Sequence, residues 1–201
     1  MPKPKTELEK VYQQVVEQGL LRTRDISTPS ARVHLQRLCA QGKIQRVARG
    51  VYAPKNTKQS ESSALSIISL KIPKGVLCLI SALHFYDMTT QVPWEVWVAI
   101  PENAVTPRIS EFHLKYVWYS EKMLSAGVES VTIDGVQVKI FNPAKTIADC
   151  FKYRNKIGLD VCLEALNEGW KRRLFTMDEL WSYAKVCRVS TKIRPYLEAL
   201  L

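Results

Sequence analysis

The side chains of this chain best suited to chemistry are the arginines near its N-terminus. Residues 1–54 contain ten basic and four acidic residues, a net charge of +6, and six of the ten are arginines. The remaining residues carry 19 basic and 15 acidic side chains, so over half of the total charge of +10 lies in about a quarter of the 201-residue chain. The planar guanidinium group donates two parallel hydrogen bonds, which matches phosphate oxygens and guanine edges. We therefore expect this segment to bind nucleic acid.

The spacing of apolar residues predicts the elements that position these arginines. Ala31, Leu35 and Leu38 form one apolar stripe of a helix, and the first helix has a similar face made of Leu8, Val11, Tyr12, Val15 and Val16. The predicted elements are a helix that stops at Gly19, a short helical segment over 21–26 capped by Thr23, a helix over 29–41 ended by Gly42, and a β-hairpin over 43–54 that turns at Gly50.

This order of three helices and a hairpin is the layout of a winged helix-turn-helix, whose third helix enters the major groove of DNA. The hairpin, or wing, would reach neighbouring phosphates or the minor groove. The residues predicted to contact DNA are Thr28, Ser30, Arg32, Val33, Gln36, Arg37, Lys43, Arg46 and Arg49. An alternative is a winged-helix adaptor that uses the same face to bind protein.

Composition places a domain boundary after the hairpin. Residues 55–63 contain no apolar side chain and read as a linker between a winged helix over 1–54 and a domain over 64–201. The second domain is expected to be mixed α+β, with a small antiparallel or mixed sheet followed by a run of helices, so the chain as a whole is of the α+β class. We expect its five tryptophans to pack in the core.

The elements predicted for the second domain follow from alternation, apolar spacing and cap residues. Helices are expected at 64–70, 80–88, 143–153, 159–170, 177–187 and 191–200, with Ser81, Thr176 and Ser190 as caps, and strands at 94–100, 112–118, 128–133 and 136–141. The dipeptide Asp134-Gly135 favours a two-residue hairpin turn between the last two strands.

Other chemistry has little support in the sequence. The five cysteines are widely spaced and flanked by aliphatic residues, so we expect packed free thiols and no metal, disulfide or cofactor. A metal-dependent nuclease is the enzyme alternative, because Asp134 and Lys139 share a hairpin. A hydrolytic Mg²⁺ site usually needs two carboxylates, whereas the neighbouring position is Gln137. The chain is therefore expected not to be an enzyme.

Several phrases of the sequence resemble the AbiEi-type antitoxins of type IV toxin-antitoxin systems. These phrases are Leu21–Ile26, Pro29–Leu35, Gly42–Tyr52, Ile80–Thr89, Trp94–Pro101 and Phe141–Arg154. The resemblance implies a bacterial transcriptional repressor that binds inverted repeats upstream of its own operon. It also implies antagonism of a neighbouring nucleotidyltransferase-like toxin without a stable complex.

The remaining expectations concern location, assembly and a second basic cluster. No apolar stretch is long enough to cross a bilayer and no signal peptide is evident, so we expect a cytoplasmic protein. With no heptad pattern, a monomer in solution is expected, with two copies on each inverted repeat. Lys171, Arg172 and Arg173, with Lys152, Arg154 and Lys156 nearby in sequence, are either solvated helix ends or a partner surface, and the first three are the candidate antitoxin surface.

Overall fold

A computed structural model describes residues 6–56 and 62–200 and shows an α+β fold. The described residues form ten α-helices, one 3₁₀ helix and eight strands in two sheets. They divide into two compact units, the first comprising the chain through Pro73 together with 132–138, and the second comprising 74–131 and the chain from 139 onward. The predicted linker includes residues 57–61, which lie outside the described residues, and it remains a prediction.

The first unit contains the basic segment. Its elements are α1 (Glu7–Gln18), β1 (Leu21–Arg22), a 3₁₀ turn (Thr23–Asp25), α2 (Ala31–Ala40), β2 (Ile44–Ala48), β3 (Val51–Pro54) and α3 (Ser63–Lys71). The three strands form an antiparallel sheet in the order β1-β3-β2. The predicted helix over 29–41 and the hairpin that turns at Gly50 are thus confirmed, with the helix one to two residues shorter at each end.

Helix α1 is held at both ends by local signals. Thr6 caps its N-terminus in a capping box with Glu9, and Gly19 ends it with a φ of +72°. Val11 and Val15 are buried as predicted, whereas the prediction for Val16 is wrong because its side chain is 48% exposed. Val16 follows the buried Val15 in the sequence, so its side chain points to the edge of the apolar face.

The prediction of a short helix over 21–26 capped by Thr23 is wrong. Leu21 and Arg22 form a strand that pairs with β3, and only Thr23–Asp25 make a 3₁₀ turn. The apolar side chains Leu21 and Ile26 are buried all the same, because they pack into the same core as α1 and α2. A two-residue strand has no periodicity of its own and depends on its pairing partner.

The second unit is a sheet covered by helices. The sheet is formed by β4 (Val76–Leu77), β5 (Val96–Pro101), β6 (Leu114–Tyr119), β7 (Val128–Ile133) and β8 (Val136–Phe141), and the hairpin end of β7 and β8, residues 132–138, is counted with the first unit. Its helices are α4 (Leu79–Phe85), α5 (Glu121–Ser125), α6 (Pro143–Lys152), α7 (Arg154–Ile157), α8 (Leu159–Lys171), α9 (Met177–Val186) and α10 (Ser190–Glu198). The strand order is β6-β5-β4-β8-β7, and the sheet is mixed, since β5 runs antiparallel to β4 but parallel to β6.

Most elements predicted for residues 64–201 are present, with ends shifted by no more than three residues. Thr176 caps α9 in a capping box, as predicted. The predictions for Ser81 and Ser190 are wrong: Ser81 lies inside α4 and accepts a hydrogen bond from the backbone N–H of Trp97, while Val189 holds the cap position of α10. Asp134 and Gly135 form the predicted turn, both with positive φ, and this turn belongs to the first unit.

The expectation that all five tryptophans pack in the core is wrong for two of them. Trp97 is buried, and Trp170 and Trp181 pack at the border of the core. Trp94 is 75% exposed and stacks on His113, with ring centroids 4.3 Å apart, and Trp118 is 47% exposed on the edge strand β6. An alternating strand on a sheet edge turns every second side chain away from the core, which places Trp118 outside.

The cysteine prediction is confirmed for four of the five thiols. Cys78, Cys150, Cys162 and Cys187 are buried, and Cys39 is half-buried. Burial raises the pKa of all five thiols, to about 12 for Cys162. Within the described residues, no helix has the length and apolar character needed to span a membrane.

Candidate nucleic-acid interface

Helix α2 presents an exposed face formed by Arg32, Val33, Gln36 and Arg37. Positions four residues apart lie on one side of a helix, so Arg32 and Gln36 are neighbours on its surface, as are Val33 and Arg37. Val33 is 46% exposed and so adds an accessible aliphatic side chain to this face. The face therefore combines two guanidinium groups, the amide of Gln36 and the apolar side chain of Val33.

The opposite side of α2 explains why this face points outward. Ala31, Leu35 and Leu38 are buried in the core of the first unit, against residues of α1 and the sheet. Ser30 precedes the helix and is exposed, and Gly42 follows its end with a φ of +67°. The backbone N–H of Lys43 donates to the carbonyl of Leu38 over 3.0 Å, which closes the helix and leads the chain into β2.

The basic side chains of the hairpin are exposed as well. Lys43 lies over the ring of Tyr12, with its Nζ 5.6 Å from the ring centroid, and Arg46 donates from Nε to the carbonyl of Ala48 over 3.4 Å. Arg49 is at the β2–β3 turn, next to Gly50, whose φ is +76°. The hairpin thus carries Lys43 just before β2, Arg46 within β2 and Arg49 at the turn.

Thr28 lies between the 3₁₀ turn and α2 and faces the start of α1. The pKa of Glu7 is lowered, mainly by its hydrogen bond and ion pair with Lys10 and less by a hydrogen bond from the hydroxyl of Thr28. Thr28 is half-buried, unlike the exposed Ser30 beside it. Of the nine residues predicted to contact DNA, Thr28 is the least accessible to solvent.

Sequence reasoning missed a group of cations beside the β2–β3 hairpin. Arg22 and Arg24 of the 3₁₀ region and Lys71 of α3 line a cavity together with Arg49. Lys71 is 47 positions beyond Arg24 in the sequence, so no local pattern indicates that they meet. Only the packing of α3 against the first unit brings them together.

The candidate antitoxin residues lie at the end of α8 in the second unit, and all three are exposed. Arg172 donates from Nη1 to the carbonyls of Tyr86 and Asp87, each over 2.8 Å, so it fastens the end of α8 to the end of α4. Arg173 has a φ of +54°, a conformation that Asn and Gly adopt more readily. Arg172 therefore has a structural role, whereas Lys171 and Arg173 stay candidates for contact with a partner.

The rest of the second basic group is tied to the core of its own unit. Lys152 reaches the sulfur of Met123 and the carbonyl of Cys187. Arg154 donates to the carbonyl of Phe151 over 3.0 Å, and Lys156 lies over the ring of Tyr153. These contacts are typical of cations near helix ends.

Helix α6 carries a fully buried ion pair that the sequence did not predict. The Nζ of Lys145 is 2.5 Å from Oδ2 of Asp149, and both side chains are 0% exposed. The ammonium group also lies 4.1 Å from the ring centroid of Phe141 and 4.9 Å from that of Tyr119. Burial raises the pKa of Asp149, although Lys145 opposes this shift, and Cys187 donates to Oδ1 over 3.1 Å.

The residues of the enzyme alternative take structural positions. Asp134 accepts a hydrogen bond from the hydroxyl of Ser63 over 2.5 Å and has the positive φ of a hairpin turn. Gln137 donates to the hydroxyl of Thr132 across the same hairpin. Within 6–56 and 62–200, no group of three or more acidic, histidine or cysteine side chains is arranged to hold a metal ion.

No model of a protein family matches the chain, and a search of curated proteins found no match.

Proposed function

We propose that the protein is a DNA-binding transcriptional repressor and antitoxin, and that its first unit is a winged helix-turn-helix. The observation that carries the proposal is the exposed face of α2, where Arg32, Val33, Gln36 and Arg37 stand opposite a fully buried apolar stripe. A helix of ten residues with such a face fits the width of the major groove, where each base pair displays a distinct pattern of donors and acceptors.

The hairpin supports the same proposal. In a winged helix the third helix reads bases while the wing contacts the flanking backbone. The order of α1, the 3₁₀ turn, α2 and the β2–β3 hairpin agrees with this arrangement, and Arg46 and Arg49 supply exposed cations on the hairpin. Contacts to bases give selectivity, whereas contacts to phosphates give affinity without selectivity.

The proposed biological role is autoregulation of an operon. Two copies of a monomeric protein bind one inverted repeat and occlude the promoter, which fits a cytoplasmic regulator. The antitoxin half of the proposal is supported by the resemblance to AbiEi-type antitoxins. This resemblance assigns antagonism of a nucleotidyltransferase-like toxin to the second unit. Lys171 and Arg173 are the candidate contact residues, since Arg172 is engaged with the carbonyls of Tyr86 and Asp87.

The experiment that tests the DNA-binding half compares base-reading variants with a matched control. Arg32→Ala and Arg37→Ala each remove an exposed arginine from α2, while Arg194→Ala removes an exposed arginine from α10, where it pairs with Glu198. Each α2 variant is expected to lose about 1–3 kcal/mol of operator binding and to become less selective over scrambled DNA. Arg194→Ala should bind like the wild type.

The same experiment separates the repressor from the adaptor alternative. If both α2 variants keep wild-type affinity and selectivity for the upstream fragment, then α2 does not read DNA and the proposal fails. A protein adaptor would show no selective DNA binding in the wild type and would retain its protein partner when these arginines are removed.

A further inference from the structure

A cavity of about 250 Å³ lies within the first unit, where three segments far apart in the sequence meet. Its walls come from β1 and the 3₁₀ turn, from the β2–β3 turn, and from the last turn of α3. Four of the seven lining residues are cations, namely Arg22, Arg24, Arg49 and Lys71.

The backbone holds these cations together. Arg22 pairs with Val51 in the β1–β3 ladder, and the backbone N–H of Thr23 donates to the carbonyl of Gly50 over 3.0 Å. These bonds fix the β2–β3 turn against the 3₁₀ turn, so that Arg49 and Arg24 lie on the same cavity. The convergence is therefore set by the fold of the unit and does not depend on side-chain rotamers alone.

Arg22 stabilises the wall of the cavity. Its Nε and Nη2 are 2.6 Å and 2.8 Å from the two carboxylate oxygens of Asp25, and its Nη1 donates to the carbonyl of Leu70. The guanidinium group of Arg24 lies 3.5 Å from the same carbonyl. The C-terminal carbonyls of a helix carry partial negative charge, which would repel an anion. Arg22 and Arg24 offset this charge where α3 ends.

The remaining cavity chemistry suits an anion of high charge density. Arginine forks bind two oxygens at once, and lysine adds a compact point charge. Three such groups from separate segments line a space large enough to admit a phosphate group with part of its hydration shell. A sheet edge or a single helix end offers no comparable convergence of side-chain donors.

We propose that this cavity is a phosphate-binding site, with Arg24, Arg49 and Lys71 as its ligands. The phosphate group belongs either to the DNA backbone, in which case the site rests on the proposed function, or to a free phosphorylated small molecule. In the first case the cavity anchors the duplex beside the bases read by α2. In the second it is a regulatory site next to the wing.

Two measurements on the full-length protein test the site. The variant Arg24→Gln/Lys71→Gln removes two ligands and keeps the scaffold residue Arg22, while Lys10→Gln is the control, since Lys10 is an exposed lysine of α1 that pairs with Glu7. Isothermal titration with pyrophosphate at low salt measures the free-anion affinity. The slope of log K against log salt on a scrambled duplex measures the phosphates neutralised.

The double variant is expected to lose about tenfold or more in pyrophosphate affinity, or about 0.9 in the salt slope, relative to Lys10→Gln. Loss of pyrophosphate affinity alone assigns a free phosphorylated ligand, and loss of slope alone assigns the DNA backbone. Circular dichroism confirms that the variants are folded.

If neither quantity changes relative to the control, the cavity is not a phosphate site. Failure of the proposed function is distinguishable, because the wild type would then bind no DNA. In that case the pyrophosphate titration decides alone, and the absence of saturable binding by the wild type overturns the inference.

Discussion

The ion pair of Lys145 and Asp149 is the feature with the largest single-residue consequence for stability. Both side chains are fully buried on α6, and removing one partner of such a pair leaves a charge that water does not reach. Replacement by well-packed apolar residues costs far less than breaking the pair, because desolvation offsets much of the attraction between the charges. The two partners therefore depend on each other, although the intact pair adds little net stability.

Lys145→Met is expected to destabilise the protein by about 3–5 kcal/mol at pH 8. Burial already raises the pKa of Asp149, and removal of Lys145 takes away the main influence that lowers it. A carboxyl group with a raised folded pKa stabilises the fold below its unfolded pKa and loses that contribution as pH rises through the folded pKa. The penalty should therefore be smaller at pH 5 than at pH 8, as measured by urea unfolding.

The control for this prediction is Lys145→Met/Asp149→Asn, which removes both charged groups. Burial raises the pKa of the neighbouring Cys187 thiol, so no group at the site then titrates between pH 5 and pH 8, and the penalty should change less with pH than that of Lys145→Met. An equal penalty for Lys145→Met at both pH values would contradict the assignment of the pH dependence to Asp149.

At the scale of elements, the basic residues at the end of α8 differ in the contacts that they make. Arg172→Ala removes two hydrogen bonds to the carbonyls that end α4 and is expected to lower the free energy of unfolding by about 1–2 kcal/mol. Lys171→Ala should change stability by less than about 0.5 kcal/mol, as expected for an exposed side chain. Thermal unfolding measures both, and equal effects would refute the structural role of Arg172.

This difference determines how the antitoxin surface is tested. A variant that includes Arg172 confuses loss of folding with loss of a partner contact. Lys171→Ala/Arg173→Asn keeps Arg172 and places a residue that tolerates positive φ at position 173. Toxin neutralisation by this variant addresses the charge cluster alone.

The elements that sequence predicted well are those with strong local signals. The buried stripe of α2, the capping box of α9 and the Asp134-Gly135 turn each follow from residues within a few positions of one another. The strands β1 and β4 are two residues long and exist through pairing with distant strands, which no local pattern encodes. The cavity cations were missed for the same reason, since Lys71 reaches Arg24 only through tertiary packing.

At the scale of the whole molecule, the excess positive charge is concentrated where the exposed faces of α2 and the hairpin lie. Residues 1–54 hold a net charge of +6 out of +10, and the described residues of this segment fold into the first unit. The summed field of such a unit steers a polyanion toward it and gives binding that weakens as salt is added. In the proposed DNA complex, selectivity must then come from the few exposed side chains of α2.

The most direct test of the central claim is binding of the wild-type protein to its own upstream DNA and to a scrambled duplex of equal length, across a salt series. We predict tight binding to the upstream fragment, much weaker binding to the scrambled one, and a linear decrease of log K with log salt for both. Equal weak binding to both duplexes, or none to either, would contradict it.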